Sequence, residues 1–195
     1  MKKPPNQVFV IDDDQAFFNL LNRVVTKEIS GIELVQLPDF AAFLNFCEDE
    51  QATQSALLAV VDKMIGGTDI SIDTSSRLNT LKIPHIVLSS NQVSAEDFKT
   101  FKKHKHCLNL FLKENMQSIA FQLIKSIDNA KQHLLQINAI ENARLTSIAQ
   151  GLIMGKSGLC QEEGALKLKS ICDSENLTLK EAAALIIRLH EAVNS

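Results

Sequence analysis

Five short apolar runs alternate with segments of helical periodicity through the first 115 residues of this 195-residue chain. Each run has the length of a strand, and most contain β-branched residues. The runs are Val8–Ile11, Ile32–Leu37, Leu57–Val61, His85–Leu88 and Leu108–Leu112. The helical segments between them are Gln15–Glu28, Asp39–Glu48, a stretch around Thr74–Leu81, and Ser94–Lys102. This order predicts an α/β fold with a five-stranded, doubly wound parallel sheet covered by helices on both faces.

The chain after Met116 is predicted to be helical, because no strand pattern returns and the apolar residues fall at helical spacing. A long helix should run to about Met154, followed by helices at Gln161–Cys172 and Leu179–Val193. Two interpretations of the long helix stay open: it packs on its own domain, or it forms a coiled-coil homodimer. Its length favours the dimer. The seam, at steps of four and three, would be Leu123, Ile127, Ala130, Leu134 and Ile137.

Composition limits the classes of function. A net charge of −3 argues against broad, sequence-blind nucleic-acid binding, although a local basic face remains compatible with it. The four cysteines form no CxxC pair, which favours free buried thiols in a reducing compartment. No apolar signal core follows the N-terminus, and no run of about 18 apolar residues occurs. We therefore expect a cytoplasmic protein that does not enter a membrane.

Acidic and polar residues stand where the predicted strands end. Asp12–Asp14 follow the first run, Asp62 ends the third, Ser89 follows the fourth, and Lys113 follows the fifth. Ligands of a doubly wound sheet collect outside the carboxyl ends of its strands, so these segments should meet at one edge. One alternative stays open, because Asp12–Asp14 can also cap the helix that begins near Gln15. The convergence of four distant segments favours a functional site.

Several carboxylates at one edge repel one another and therefore attract a divalent cation. Oxygen ligands suit Mg²⁺, which keeps bound waters and takes up phosphate oxygens. Beside such an ion, Asp62 can act as a nucleophile toward a phosphoryl group and form an aspartyl phosphate. Lys113 would pair with one phosphoryl oxygen, and the Ser89 hydroxyl would hydrogen-bond another. The residues at this edge thus predict a phosphoryl acceptor.

The string Val8-Phe9-Val10-Ile11-Asp12-Asp13, with Asp62, Ser89 and Lys113, resembles the signature of two-component receiver domains over about residues 6–130. The resemblance implies a flavodoxin-like receiver at residues 1–125 and a sensor histidine kinase as partner. It also implies that Asp12, Asp13, Asp62 and the main-chain carbonyl of Met64 hold Mg²⁺. Asp62 would be the phospho-acceptor, and Ser89 and Lys113 would contact the phosphoryl group. The chain would then be no enzyme beyond its own phosphoryl transfer.

Some positions depart from the receiver pattern. The family usually carries a proline a few residues after the acceptor, whereas this chain reads Asp62-Lys63-Met64-Ile65-Gly66-Gly67. Glu114 replaces the proline that usually follows the last lysine. Loss of proline frees a turn that is normally rigid. Lys63 is a candidate built-in counterion for the acceptor. These departures motivate an alternative function: a protein-interaction switch that is regulated by a ligand-sensing partner without phosphorylation.

The segment Ala149-Gln150-Gly151-Leu152-Ile153-Met154, followed by Ser157-Gly158-Leu159, resembles the signature of the ANTAR domain. ANTAR domains are three-helix RNA-binding modules of transcription antiterminators. The resemblance implies that residues 137–195 bind a hairpin in leader RNA as a homodimer, reached through a coiled-coil linker helix at residues 116–148. Phosphorylation would control dimerisation and RNA binding. The candidate RNA contacts are Arg144, Lys156, Lys167, Lys169 and Lys180.

One histidine-rich segment precedes the fifth predicted strand. His104, His106 and Cys107 lack a fourth ligand at the spacing of a zinc finger. The segment is therefore predicted to be a basic loop.

Overall fold

A computed structural model describes residues 6–90, 94–113 and 115–194. Its central sheet is parallel, with the strand order β2-β1-β3-β6-β7, and a two-stranded antiparallel ribbon, β4-β5, lies beside it. The strands are β1 (Gln7–Ile11), β2 (Glu33–Leu37), β3 (Ala56–Asp62), β4 (Met64–Ile65), β5 (Thr68–Asp69), β6 (His85–Ser89) and β7 (Cys107–Leu112). The helices are α1 (Gln15–Glu28), α2 (Phe40–Glu48), α3 (Glu50–Ser55), α4 (Ser71–Thr80), α5 (Ala95–Phe101), α6 (Met116–Ser157), α7 (Gln161–Glu175) and α8 (Leu179–Asn194).

The predicted fold class is confirmed: a five-stranded, doubly wound parallel sheet is followed by a long helix and further helices. The chain divides into two compact units, of which the first ends at Leu134 and the second begins at Leu135. Two features had no clear sequence signal, namely the short polar helix α3 and the β4-β5 ribbon. Both are too short to show a hydrophobic period.

Side-chain caps set where the helices of the first unit begin. Asp14 accepts hydrogen bonds from the N–H groups of Ala16 and Phe17 at the start of α1. Ser94 and Asp97 form a capping box at the start of α5, with reciprocal bonds between side chain and main chain. Such caps satisfy main-chain donors that have no partner within a helix. The caps thereby fix the residues at which α1 and α5 begin.

One face of the sheet is covered by α1 and by the first half of α6. Val8 and Val10 of β1 and Leu58 and Val60 of β3 pack there in one buried cluster. The helices contribute the buried side chains Leu21, Val25, Ile119, Leu123, Ile127 and Ala130. The opposite face is covered by α2, α4 and α5 through Phe43, Phe46, Leu78 and Phe101.

The predicted dimer seam is corrected by this packing. Leu123, Ile127 and Ala130 are only 1%, 0% and 0% exposed, and Leu134 packs against the same cluster. The spacing of four and three marks the apolar stripe by which the helix covers its own sheet. Buried side chains are not available to a second chain, so these residues form no coiled-coil seam. Ile137, the last residue of the predicted seam, is half-buried in the second unit.

The second unit is built from the end of α6 together with α7 and α8. Its core is small and contains Ala149, Ile153, Leu168, Ala182 and Ala183. A Cβ atom at Gly164 of α7 would lie 2.8 Å from Cγ of Met154 on α6. The two helices therefore approach closely where the sequence supplies glycine. Small side chains at such contacts let a short three-helix unit form a packed core.

Two general expectations can be compared with the structure. All four cysteines (Cys47, Cys107, Cys160 and Cys172) are free thiols, but none of them is fully buried, so the expectation of buried thiols is wrong. Among the described residues, no helix combines the length and the apolar character needed to cross a membrane.

A buried histidine links α4, β6 and the loop before β7. His85 is 0% exposed, and its Nδ1–H donates to the carbonyl of Ile83 at 3.0 Å. In this tautomer its Nε2 accepts from the Ser75 hydroxyl at 2.6 Å, and the Ser75 oxygen accepts from Nδ1–H of His104, also at 2.6 Å. Burial lowers the pKa of His85 to about 4. A neutral imidazole is thus part of the native hydrogen-bond network.

Acidification should therefore destabilise the first unit. Because the folded chain binds this proton less readily than the unfolded chain, the stability is fully present above about pH 6.5 and falls as the pH drops toward 4. The expected loss is about 3 kcal/mol over that interval. Urea unfolding of the wild type and of His85→Gln at several pH values would measure it. Parallel pH dependences of the two proteins would contradict the prediction.

Candidate functional site: an acidic cluster at the carboxyl ends of the strands

The carboxyl ends of the parallel strands bring the predicted acidic residues together. β1 pairs with β3 in parallel, with Ile11 opposite Val61, so Asp12, which follows β1, and Asp62, the last residue of β3, lie at the same height. β6 pairs with β3 on its other side, with Leu88 opposite Asp62. Potential ligand oxygens of Asp12, Asp13 and Asp62 all lie within 4.8 Å of one another. Sheet topology thus makes one site from segments that are 50 residues apart in the chain.

The three residues of the Asp12–Asp14 run have different roles. Asp12 is 1% exposed, and its Oδ1 accepts a hydrogen bond from the Asp14 N–H at 2.9 Å. Asp13 is exposed, and its Oδ2 accepts from the N–H of Gly66 at 3.0 Å. Asp14 is the cap of α1. Helix capping, the alternative left open by the sequence, is therefore the role of Asp14, whereas Asp12 and Asp13 face the cluster.

Lys113 supplies the positive charge at the site. Its Nζ lies 2.8 Å from Oδ2 of Asp12 and 2.8 Å from Oδ2 of Asp62. The same ammonium group lies over the ring of Phe17 on α1, 4.6 Å from the centroid. Two ion pairs and a cation–π contact hold one rotamer of a long side chain. The cation predicted from the end of β7 thus reaches the carboxylates at the ends of β1 and β3.

Ser89 and Met64 complete the predicted set of residues. Ser89 is 1% exposed at the end of β6, and its carbonyl accepts from the N–H of Lys113 at 2.8 Å. Met64 begins β4, two residues after Asp62, and its side chain is partly exposed. Ligation of a metal by the Met64 carbonyl stays a prediction. Glu114, the other departure from the receiver pattern at this edge, lies outside the described residues.

Burial dominates the electrostatics of Asp62. Removal from water raises the pKa of the Asp62 carboxyl, although the hydrogen bond and the charge of Lys113 oppose this effect. Burial also disfavours the charge of Lys113, but its hydrogen bonds to Asp12 and Asp62 outweigh burial and raise its pKa. A carboxylate that is poorly solvated gains free energy from any additional positive partner. The site is therefore short of positive charge.

One oxygen of Asp62 has no hydrogen-bond partner. This atom, Oδ1, is buried, while Oδ2 faces Lys113. Unpaired buried carboxylate oxygens are costly unless they bind a cation or react. Three carboxylates with converging oxygens, one of them unpaired, fit an oxygen-coordinated divalent ion such as Mg²⁺. The donor set of this chain therefore suits the metal that the sequence predicted.

The fold of the first unit is similar to that of solved response regulator receiver domains. A receiver domain from Clostridium thermocellum superposes with a TM-score of 0.52 at 18% identity, over 67% of this chain and 98% of that chain. A receiver protein from Pseudomonas putida gives a TM-score of 0.53 at 14% identity, over 66% of this chain and 99% of that chain. The first unit has the receiver fold.

A response regulator from Thermotoga maritima gives a similar comparison, with a TM-score of 0.50 at 18% identity over 63% of this chain and 98% of that chain. No family model and no curated protein matches the chain. The comparisons thus concern the receiver fold, and the ANTAR resemblance of the C-terminal helices stays a prediction.

Lys63 of the receiver fold has partners that the sequence did not reveal. Its Nζ lies 2.6 Å from Oδ2 of Asp97 and 3.5 Å from Oδ2 of Asp69. The hydrogen bond to Asp97 raises the pKa of Lys63, and the same bond lowers the pKa of Asp97. The lysine therefore pairs with residues of α5 and β5, and the prediction that it serves as counterion to Asp62 does not describe this state. A contact between residues 34 positions apart has no local sequence signal.

The candidate RNA contacts lie in the second unit and are all exposed. Arg144 and Lys156 are on α6, Lys167 and Lys169 on α7, and Lys180 on α8. Lys167 and Lys169 are two residues apart on one helix and so point in different directions. Their role as RNA contacts stays a prediction.

Proposed function

We propose that the chain is a response regulator in which Asp62 accepts a phosphoryl group from a sensor histidine kinase. The observation that carries the proposal is the buried Asp62 Oδ1, which lacks a partner in a cluster of three carboxylates beside Lys113. A bond to phosphorus would give this oxygen the partner that it lacks. The chain catalyses only this transfer to itself.

The proposed chemistry uses the side chains of this cluster. Asp62 Oδ1 attacks the phosphorus of a phosphohistidine, a P–O bond forms, the P–N bond breaks, and the imidazole leaves with the bonding electron pair. Asp12, Asp13 and Asp62 would hold Mg²⁺, which supplies neutralisation of the phosphoryl charge. Lys113 pairs with a phosphoryl oxygen after giving up one of its two carboxylates. The Ser89 hydroxyl hydrogen-bonds another oxygen.

We further propose that the second unit binds a hairpin in leader RNA and that phosphorylation controls this binding in transcription antitermination. Support comes from the ANTAR-like string at Ala149–Met154 and from five exposed basic side chains on three helices. A homodimer would need a contact other than Leu123, Ile127 and Ala130. The test is a gel shift with the leader transcript of the neighbouring operon, with and without phosphodonor. If the protein bound no RNA either with or without phosphodonor, the proposed RNA-binding function would be refuted.

The salt dependence of RNA binding measures the contribution of the basic side chains. A variant with Gln at Arg144, Lys156, Lys167, Lys169 and Lys180 should fold, since all five are exposed. The slope of log affinity against log salt should become shallower by roughly 3.5, because each of the five lost phosphate contacts removes about 0.7. A matched variant with Gln at the exposed Lys27 and Lys99 of the first unit should keep the wild-type slope. Equal slopes in all three proteins would contradict the assignment.

A second candidate is a protein-interaction switch that responds to a ligand-sensing partner without phosphorylation. The observation that favours it is the pairing of Lys63 with Asp97 and Asp69, which gives the acceptor loop contacts of its own. This function predicts that Asp62→Asn retains regulated RNA binding. The phosphoryl-acceptor function predicts that regulation is lost.

A further inference from the structure

Lys63 connects the residue next to the acceptor with the beginning of α5. Its ammonium group forms a 2.6 Å hydrogen-bonded ion pair with Asp97, and the two side chains are only 17% and 18% exposed. Asp69 of β5 lies 3.5 Å from the same nitrogen. Exposed ion pairs are usually weak, but partial burial and a short charge-assisted bond make this contact stronger than an ordinary surface pair. The ion pair therefore restrains both the segment at Lys63 and the first turn of α5.

The main chain of Lys63 is also tied to the strand that carries Ser89. Its N–H donates to the carbonyl of Leu88 at 2.8 Å, and its own carbonyl accepts from the N–H of Ile70 at 3.1 Å. Because these hydrogen bonds hold the main chain, the side chain is the part of Lys63 that can move. If Nζ changes its ion-pair partner, the contact of Lys63 with α5 changes with it.

The Asp97 carboxylate accepts a second hydrogen bond, from the main chain of α5's own cap. The same oxygen, Oδ2, accepts from the N–H of Ser94 at 3.3 Å as part of the capping box of α5. Asp97 is thereby the part of α5 that responds to Lys63. Without Lys63, the first turn of α5 keeps its cap and loses its attachment to the acceptor strand.

We propose that Lys63 is a positioning residue that reports the state of Asp62 to the first turn of α5. The inference rests on the proposed phosphoryl-acceptor function. Phosphorylation replaces a singly charged carboxylate by a group of charge about −2 with three strong acceptor oxygens. Lys63 directly follows Asp62 in the chain, so the new charge develops next to the residue that holds Asp97. Lys63 then pairs with the phosphoryl group and no longer with Asp97, and the first turn of α5 loses this ion pair.

Hydrogen exchange of the full chain tests the resting attachment. Amides of residues 95–101 should exchange about threefold faster or more in Lys63→Met than in the wild type, because opening of the first turn no longer breaks the ion pair. Lys63→Arg should exchange like the wild type, since it keeps the charge. Lys99→Met, at an exposed lysine on the same helix, is the matched control and should show no change. Wild-type exchange in Lys63→Met would overturn the proposal.

The activated arm uses Mg²⁺ with beryllofluoride, an analogue of a phosphoryl group on a carboxylate. In the wild type it should protect the peptide around residues 60–66 and speed exchange at residues 95–101. In Lys63→Met the protection should remain, and exchange at residues 95–101 should rise no further. Protection without any change at α5 in the wild type would overturn the role of Lys63 and leave the acceptor function standing. Absence of protection in the wild type would refute the acceptor function, and the proposed relay with it.

Discussion

Asp62→Asn is expected to lower phosphoryl incorporation from a labelled small phosphodonor in Mg²⁺ by at least about 100-fold, because the amide oxygen is a poor nucleophile. Chelation of the metal should cause a comparable loss in the wild type, since three carboxylates in one cluster then face the incoming group without a divalent cation. The label in the wild type should be labile to hydroxylamine, as an acyl phosphate is.

Asp14→Asn is the matched control. It removes the same charge two residues from Asp12, but Asn caps helices as well as Asp does. Its labelling should equal that of the wild type. Labelling of Asp62→Asn at the wild-type level would contradict the assignment of the acceptor and would favour the switch that works without phosphorylation.

The same substitution should not cost stability. Burial raises the pKa of Asp62, which means that its charged form is less favourable in the folded chain than in the unfolded chain at neutral pH. Removing that charge relieves the penalty, while Lys113 keeps its ion pair with Asp12. Urea unfolding at pH 7 should therefore show an equal or higher free energy of unfolding for Asp62→Asn. Sites that perform chemistry often retain groups of this kind at the expense of stability.

Ile127→Ala is expected to lower the free energy of unfolding of the first unit by about 2–5 kcal/mol, because it leaves a cavity where a fully buried side chain packs against the sheet. Leu135→Ala, eight residues further along α6, is the control. Leu135 is 62% exposed, and its truncation should change stability by less than about 0.5 kcal/mol.

This pair of variants also separates the two interpretations of the long helix. A residue of a dimer seam would change the dissociation constant of the dimer and leave the isolated first unit intact. The structure predicts the reverse for Ile127, namely unfolding that does not depend on protein concentration. Sedimentation velocity beside urea unfolding would distinguish them. If Ile127→Ala had a wild-type free energy of unfolding and an altered dissociation constant of the dimer, Ile127 would belong to a dimer seam.

Local patterns in the sequence determined most of the first unit. All five strands of the sheet were predicted within one or two residues, since short apolar runs between helical segments, most of them with β-branched residues, favour strands. The strand ends then placed Asp12, Asp62 and Lys113 at one edge, because all the strands of the sheet are parallel. The polar helix α3 and the β4-β5 ribbon had no such signal. Convergence at the site thus followed from periodicity and strand direction alone.

Only the tertiary structure decided which surface each apolar stripe covers. A spacing of four and three describes a helix with one apolar face, and it is the same whether that face meets a sheet or a second helix. The first half of α6 packs on the sheet face that includes β1 and β3. No local pattern in the sequence indicates that this face is its partner. The pairing of Lys63 with Asp97 is likewise a contact between distant segments. Such contacts depend on chain topology, which a local period does not encode.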